Sequence, residues 1–205
     1  YTWRVRVWDD RGKVSAWSRP ASWRTGLFHK TEWQARWIEP QQSDDRAAMF
    51  RRTFRLSKPV AAATLYITAH GIYEAGINGR RVSEDLLTPG WTAYRKRLQY
   101  QAYDVTPFVA KGDNAIGVTV AKGWYLSKLP WSREFNYGDE YGLLAQIVVR
   151  YKDGSREVVA TDDAWRASTG AISYGNLYDG ETIDLNLRCE GWNTASFDDT
   201  SWTAV

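Results

Sequence analysis

The sequence predicts an all-β protein whose main body is a jelly-roll β-sandwich, and three observations carry that prediction. Short runs of alternating apolar and polar residues recur at regular spacing, with turn signals between them. Asn78-Gly79 has the composition of a two-residue hairpin turn, because both central positions of a type I′ turn need positive φ. No segment keeps a helical period over the roughly ten residues a domain helix needs, so helix is confined to single turns such as the one near Pro107.

In chain order, Tyr1, Trp3, Val5 and Val7 alternate with Thr2, Arg4, Arg6 and Trp8, which predicts a strand with one buried face. A turn at Asp9 to Lys13 and a short strand at Ala21 to Thr25 follow. Two strands cannot close a sandwich, so residues 1–27 read as the last strands of a fibronectin type III-like domain. The chain opens without an initiator Met, a basic region or a hydrophobic segment, as a piece of a longer polypeptide would. Residues 28–46 read as a polar connector, with Trp33 and Trp37 expected to pack.

Residues 47–205 carry the sandwich. Its strands are expected at Met49–Leu56, Ala61–Ala69, Tyr73–Ile77, Leu98–Asp104, Asn114–Val120, Leu143–Tyr151, Glu157–Ala160 and Ile183–Leu187. Lys152-Asp153-Gly154 and Gly112-Asp113-Asn114 supply two further turns. Gly123 to Tyr141 breaks the rhythm as a long aromatic insertion, and long loops inside compact sandwiches are commonly functional.

Composition narrows the function. The net charge of +3 comes from 27 basic and 24 acidic residues with both signs mixed, a weak footprint for nucleic acid. The Arg95-Lys96-Arg97 cluster reads as a solvated strand end, so no nucleic-acid partner is expected. No run approaches the roughly 18 apolar residues of a membrane span, so no membrane partner is expected either. Cys189 is the single cysteine, which excludes an internal disulfide and favours the cytoplasm over secretion. Two histidines, His29 and His70, leave little material for a histidine-based site, and His70 reads as packed.

The remaining chemistry suits a sugar. A pyranose needs an apolar plane for its C–H face and a few polar groups for its hydroxyls. Trp91 and Trp124 directly follow loop glycines, and Tyr94, Tyr125, Trp131 and Tyr137 add further planes. The sugar-contacting candidates are Trp91, Trp124, Trp131, Asn136 and Glu140. Glu84, Asp85 and Asp139 are candidates for a calcium ion, which takes about six to eight oxygen ligands, and solvated acidic turns are the alternative. Glycosidic catalysis would need two carboxylates facing across a cleft. Nothing in the spacing pairs Glu74, Glu134, Glu140, Glu181 or Asp184, so no catalytic residue is assigned.

Six ordered motifs, LYITAHGIYEAGINGRRV, TPGWTAYRKRLQYQAYDVT, GDNAIGVTVAKGWY, YGLLAQI, YDGETIDLN and GWNTASFDDTSW, resemble the N-terminal region of bacterial α-L-rhamnosidases of glycoside hydrolase family 78. The opening YTWRVRVWDDRGKVSAWS resembles the end of the fibronectin-like domain that precedes it. The resemblance implies a galactose-binding-like jelly roll without catalytic residues, catalysis falling to an α/α barrel elsewhere in the polypeptide. It implies a parent enzyme acting on terminal α-L-rhamnosyl groups. For this region it implies either binding of L-rhamnose or rhamnosyl glycosides, with calcium in some relatives, or structural support of the catalytic domain. A sandwich with its own glycosidase site is the remaining alternative.

Overall fold

A computed structural model describes residues 1–41, 44–132 and 135–205. They form two compact units, 1–33 and 34–205. The expected connector is therefore divided. From Gln34 onward it belongs to the second unit, because Ile38 exchanges both backbone hydrogen bonds with Leu143 (3.0 and 2.9 Å).

The first unit holds one antiparallel pair, β1 (Thr2–Trp3) with β2 (Ala21–Ser22). Regular strand is shorter than the alternation predicted because two serines take over the ladder. The Ser18 and Ser15 hydroxyls accept from the Val5 and Val7 amides, while those two residues' carbonyls take the serine amides. Asp9 closes the turn by accepting from the Arg11 and Lys13 amides. The expected buried face is absent among the described residues: Tyr1, Trp3, Val5 and Val7 are all exposed. Among the alternating residues, Arg6 lies over the rings of Trp8 and Trp17 in cation–π contacts.

The second unit is a sandwich of two antiparallel sheets. Its strands are β3 (Ala48–Leu56), β4 (Val60–His70), β5 (Ile72–Ile77), β6 (Arg80–Arg81), β7 (Gln101–Asp104), β8 (Gly112–Ala121), β9 (Gly142–Tyr151), β10 (Arg156–Ala160), β11 (Arg166–Thr169), β12 (Ile172–Asn176), β13 (Gly180–Ile183) and β14 (Thr203–Ala204). One sheet runs β10-β9-β4-β7 and the other β14-β11-β3-β8-β5-β6, with β12 and β13 as a separate hairpin. Alternate residues of both sheets, among them Phe50, Leu56, Leu65, Ile67, Ile77, Val118, Leu143 and Ile147, make one core.

Local turn chemistry is as expected. Asn78 and Gly79 both have positive φ (51° and 79°). Asn78 does more than turn the chain: its amide donates to the Phe108 carbonyl and to Asn114, and its Oδ1 accepts from the Ala115 amide. Strands β6, β11, β12 and β14 were not among those expected. The four residues of β11 show little apolar alternation and are held by pairing with β3 and β14. The expected strand at Ile183–Leu187 is instead the end of β13 followed by a 3-10 turn at Leu185–Leu187, capped by Asp184.

The outer face of the larger sheet explains the C-terminal motif GWNTASFDDTSW. Arg51, Gly117 and Gly76 stand in one row across β3, β8 and β5. The glycines leave room for Trp192 and Asn193 to lie on the sheet: a Cβ on Gly117 would sit 2.4 Å from the Trp192 ring, and one on Gly76 2.3 Å from the Asn193 amide. Beneath this cover Arg51 is fully buried. It donates to the carbonyls of Trp192 (2.8 Å) and Thr194 (2.9 Å), pairs with Asp199 and lies over the Phe197 ring. Each charged nitrogen of the guanidinium thus has a partner, which is the condition for burying an ion.

Candidate functional site

The site is built where the end of β4, the loop between β6 and β7, and the insertion between β8 and β9 meet. His70 ends β4 and lies between two rings, Trp37 at 4.0 Å and Tyr125 at 4.3 Å, with interplanar angles of 17° and 2°. Burial pushes the His70 pKa down from its ordinary value, so the ring is neutral near pH 7 and offers one donor and one acceptor. A single helical turn, Gly123–Leu126, sets Trp124 and Tyr125 on the insertion. Gly138 lets the far side of the loop lie against Tyr125, since a Cβ there would sit 2.5 Å from that ring.

Tyr94 packs edge-on against Tyr125 (5.2 Å, 87°) and at 4.9 Å from Tyr137. Its hydroxyl donates to the Gly90 carbonyl (3.0 Å). Burial, reinforced by Tyr137 and Tyr125, pushes the Tyr94 pKa up to about 12, so the phenol stays protonated. Burial, with Asp139 and Glu39 nearby, likewise raises that of Tyr125. Together His70, Tyr94, Arg95, Leu98, Tyr125 and Tyr137 line a cavity of about 140 Å³. Its walls are aromatic, and its polar groups are phenols, a neutral imidazole and one guanidinium. That combination offers planes for C–H groups and directed hydrogen bonds for hydroxyls.

Beside the cavity the three expected tryptophans come together. Trp91 stacks on Trp124 (6.0 Å, 7°) and on Trp131 (6.0 Å, 23°). The Trp91 indole N–H donates to the Tyr137 hydroxyl at 3.3 Å, which ties the stack to the cavity wall. Asn136 joins through its carbonyl, which accepts from Arg95 (3.3 Å). Glu140 lies beside Glu39 and Asp139. Burial and a hydrogen bond to Glu140 raise the Glu39 pKa, so Glu39 holds its proton more tightly than a free carboxyl.

The expected calcium ligands are not assembled. Asp85 accepts from the Tyr103 phenol (3.0 Å) and Glu84 faces Arg81 (3.8 Å), while Asp139 stands with Glu39 and Glu140. Among the described residues no group of three or more His, Cys, Asp or Glu is placed to hold a metal ion. A guanidinium and a phenol serve as partners for Glu84 and Asp85. The other acidic candidates have local roles: Glu74 pairs with Arg81, and Asp184 caps its own turn. Glu134 lies outside the described residues.

The sequence predicts Trp37 and His70 as packing groups and Arg95 as a solvated one. His70 and Trp37 do pack, but against Tyr125, which places the imidazole on the cavity wall. Arg95 reaches the Asn136 carbonyl across the insertion. The sequence signal for these residues was their adjacency to aromatic loops, and it did not say which rings would meet.

Known proteins share this arrangement of chain. The family model described as Alpha-L-rhamnosidase N-terminal domain matches residues 58–205, and that described as Rha78A-like, N-terminal immunoglobulin domain matches residues 1–29. Immunoglobulin and fibronectin type III domains share the sandwich architecture expected for the first residues. An α-L-rhamnosidase of Formosa agariphila is 39% identical over 216 residues, covering 99% of this chain and 23% of the relative. The crystal structure of native α-L-rhamnosidase from Aspergillus terreus superimposes with a TM-score of 0.94 at 37% identity, over 99% of this chain and 25% of that one. The α-L-rhamnosidase of Streptomyces avermitilis complexed with L-rhamnose matches with a TM-score of 0.76 at 47% identity, over 78% of this chain and 16% of that one. The chain thus spans about a quarter or less of the length of these relatives.

Proposed function

Because the chain belongs to the family of α-L-rhamnosidase N-terminal regions, we propose that it is a non-catalytic accessory region that holds an L-rhamnosyl group in the cavity lined by Tyr94, Tyr125 and Tyr137. The observation that carries this reading is that cavity: three phenols, a neutral His70 and Arg95 around a volume suited to one sugar ring. L-Rhamnose has an apolar methyl and C–H face for the rings and hydroxyls for His70, Arg95 and the phenols. The parent polypeptide hydrolyses terminal α-L-rhamnosyl glycosides, and its catalytic domain is the natural partner of this region.

Titration calorimetry of the chain with L-rhamnose tests the reading, with calcium and with a chelator as separate arms. Heat of binding and a rise in unfolding temperature, both reduced in Tyr137→Ala, are expected. No heat and no thermal shift at tens of millimolar sugar would leave a purely structural module. Loss of binding with the chelator alone would restore calcium to the site.

A further inference from the structure

From the tryptophan stack we infer that Trp131 is the platform of a second carbohydrate subsite, so that the region takes a disaccharide ending in L-rhamnose rather than a single sugar. The inference rests on the rhamnose reading of the adjacent cavity. Three indoles lie in series, Trp124, Trp91 and Trp131, each 6.0 Å from the next. Stacking covers ring faces progressively. Trp124 is half-buried, Trp91 is 42% exposed, and Trp131, at the end of the series, is 72% exposed. An indole backed by another indole is held at a set tilt, with its outer face toward solvent. Such a face suits the C–H side of a pyranose.

The platform is coupled to the cavity by contacts on both sides. Trp91 donates its N–H to Tyr137, whose ring lies 4.9 Å from Tyr94, and both tyrosines line the cavity. Arg95, another lining residue, bonds the Asn136 carbonyl on the loop that carries Trp131. The indole stack thus adjoins the cavity through Tyr137, and Arg95 ties the cavity wall to the insertion, so a sugar linked to one held in the cavity would meet the indoles. A face presented by a pre-set ring binds at little ordering cost, since no further side chain need be immobilised.

Calorimetry with L-rhamnose and with rutinose, the disaccharide of α-L-rhamnose on glucose, tests the inference on the wild-type chain, Trp131→Ala and Trp131→Phe. Rutinose is expected to bind about three- to tenfold more tightly than rhamnose, the gain of one aromatic contact. Trp131→Ala should erase that gain and leave rhamnose affinity unchanged, and Trp131→Phe should keep most of it. Because Trp131 is exposed, its unfolding temperature should match wild type. Equal affinity of the two sugars for wild type, or a gain that survives Trp131→Ala, overturns the second subsite. Failure of both sugars to bind overturns the rhamnose reading itself.

Discussion

Arg51 is the residue on which the C-terminal cover of the sandwich turns, and replacing it with Met should uncouple that cover. The substitution keeps the unbranched stem out to about the position of Nε and removes the charged end of the guanidinium. The Asp199 carboxylate and the carbonyls of Trp192 and Thr194 then lose their donors. Removing one partner of a buried pair costs about 3 to 5 kcal/mol. Asp199 is 24% exposed and keeps Arg166 at 3.7 Å, so the lower end, about 3 kcal/mol, applies. For a unit of this size that corresponds to a fall in unfolding temperature of roughly 6 to 12 °C. In urea, with a slope of about 2 kcal/mol per molar, the midpoint should fall by about 1.5 M at constant slope. Far-UV circular dichroism of wild type, Arg51→Met, Asp199→Asn and the double variant reads this out as a cycle. The two changes should be strongly non-additive, because the double variant leaves no orphaned charge. A loss below about 1 kcal/mol in Arg51→Met, or additive losses, would refute the reasoning, since exposed pairs behave that way.

Two further perturbations follow from the same geometry. Gly117→Ala places a Cβ against the Trp192 ring and Asn193 and should cost about 1 to 3 kcal/mol. It should also speed proteolysis within residues 190–202, and unchanged cleavage there would argue that the cover does not lie on the sheet. The pH dependence of stability has a sign set by His70. Its folded pKa lies below the unfolded value of 6.5, so the unfolded state binds more protons as pH falls through that value. His70 therefore contributes stability that is complete above about pH 6.5 and is lost as pH drops toward its folded pKa. His70→Phe keeps a planar ring between Trp37 and Tyr125 and should flatten the fall in unfolding temperature between pH 7 and 5; an undiminished slope would assign it to other groups.

The alternation of Ala61 to Ala69 and of Asn114 to Val120, and the Asn78-Gly79 turn, were readable because strand period and positive φ are local properties of adjacent residues. So was the presence of many aromatic rings in two loops. The short strand β11 escaped because its place comes from backbone pairing to β3, which leaves no apolar period in four residues. The alternation of Tyr1 to Val7 marked a strand but not its burial, since an apolar face records what it can pack against and not what covers it within these residues.

What the sequence determined by itself is therefore the class of the fold, its turns and the kind of chemistry its loops hold. Tertiary structure alone decided which groups meet. It set Trp91 between Trp124 and Trp131, enclosed His70 between Trp37 and Tyr125, and turned Glu84 and Asp85 to Arg81 and Tyr103. It also buried Arg51 under a segment far along the chain, with the carbonyl of Trp192, 141 residues later, as one partner. The physical reason is range. Periodicity and turn propensity act between neighbours in sequence, whereas stacking, ion pairing and desolvation depend on distances that exist only after the sheets have packed.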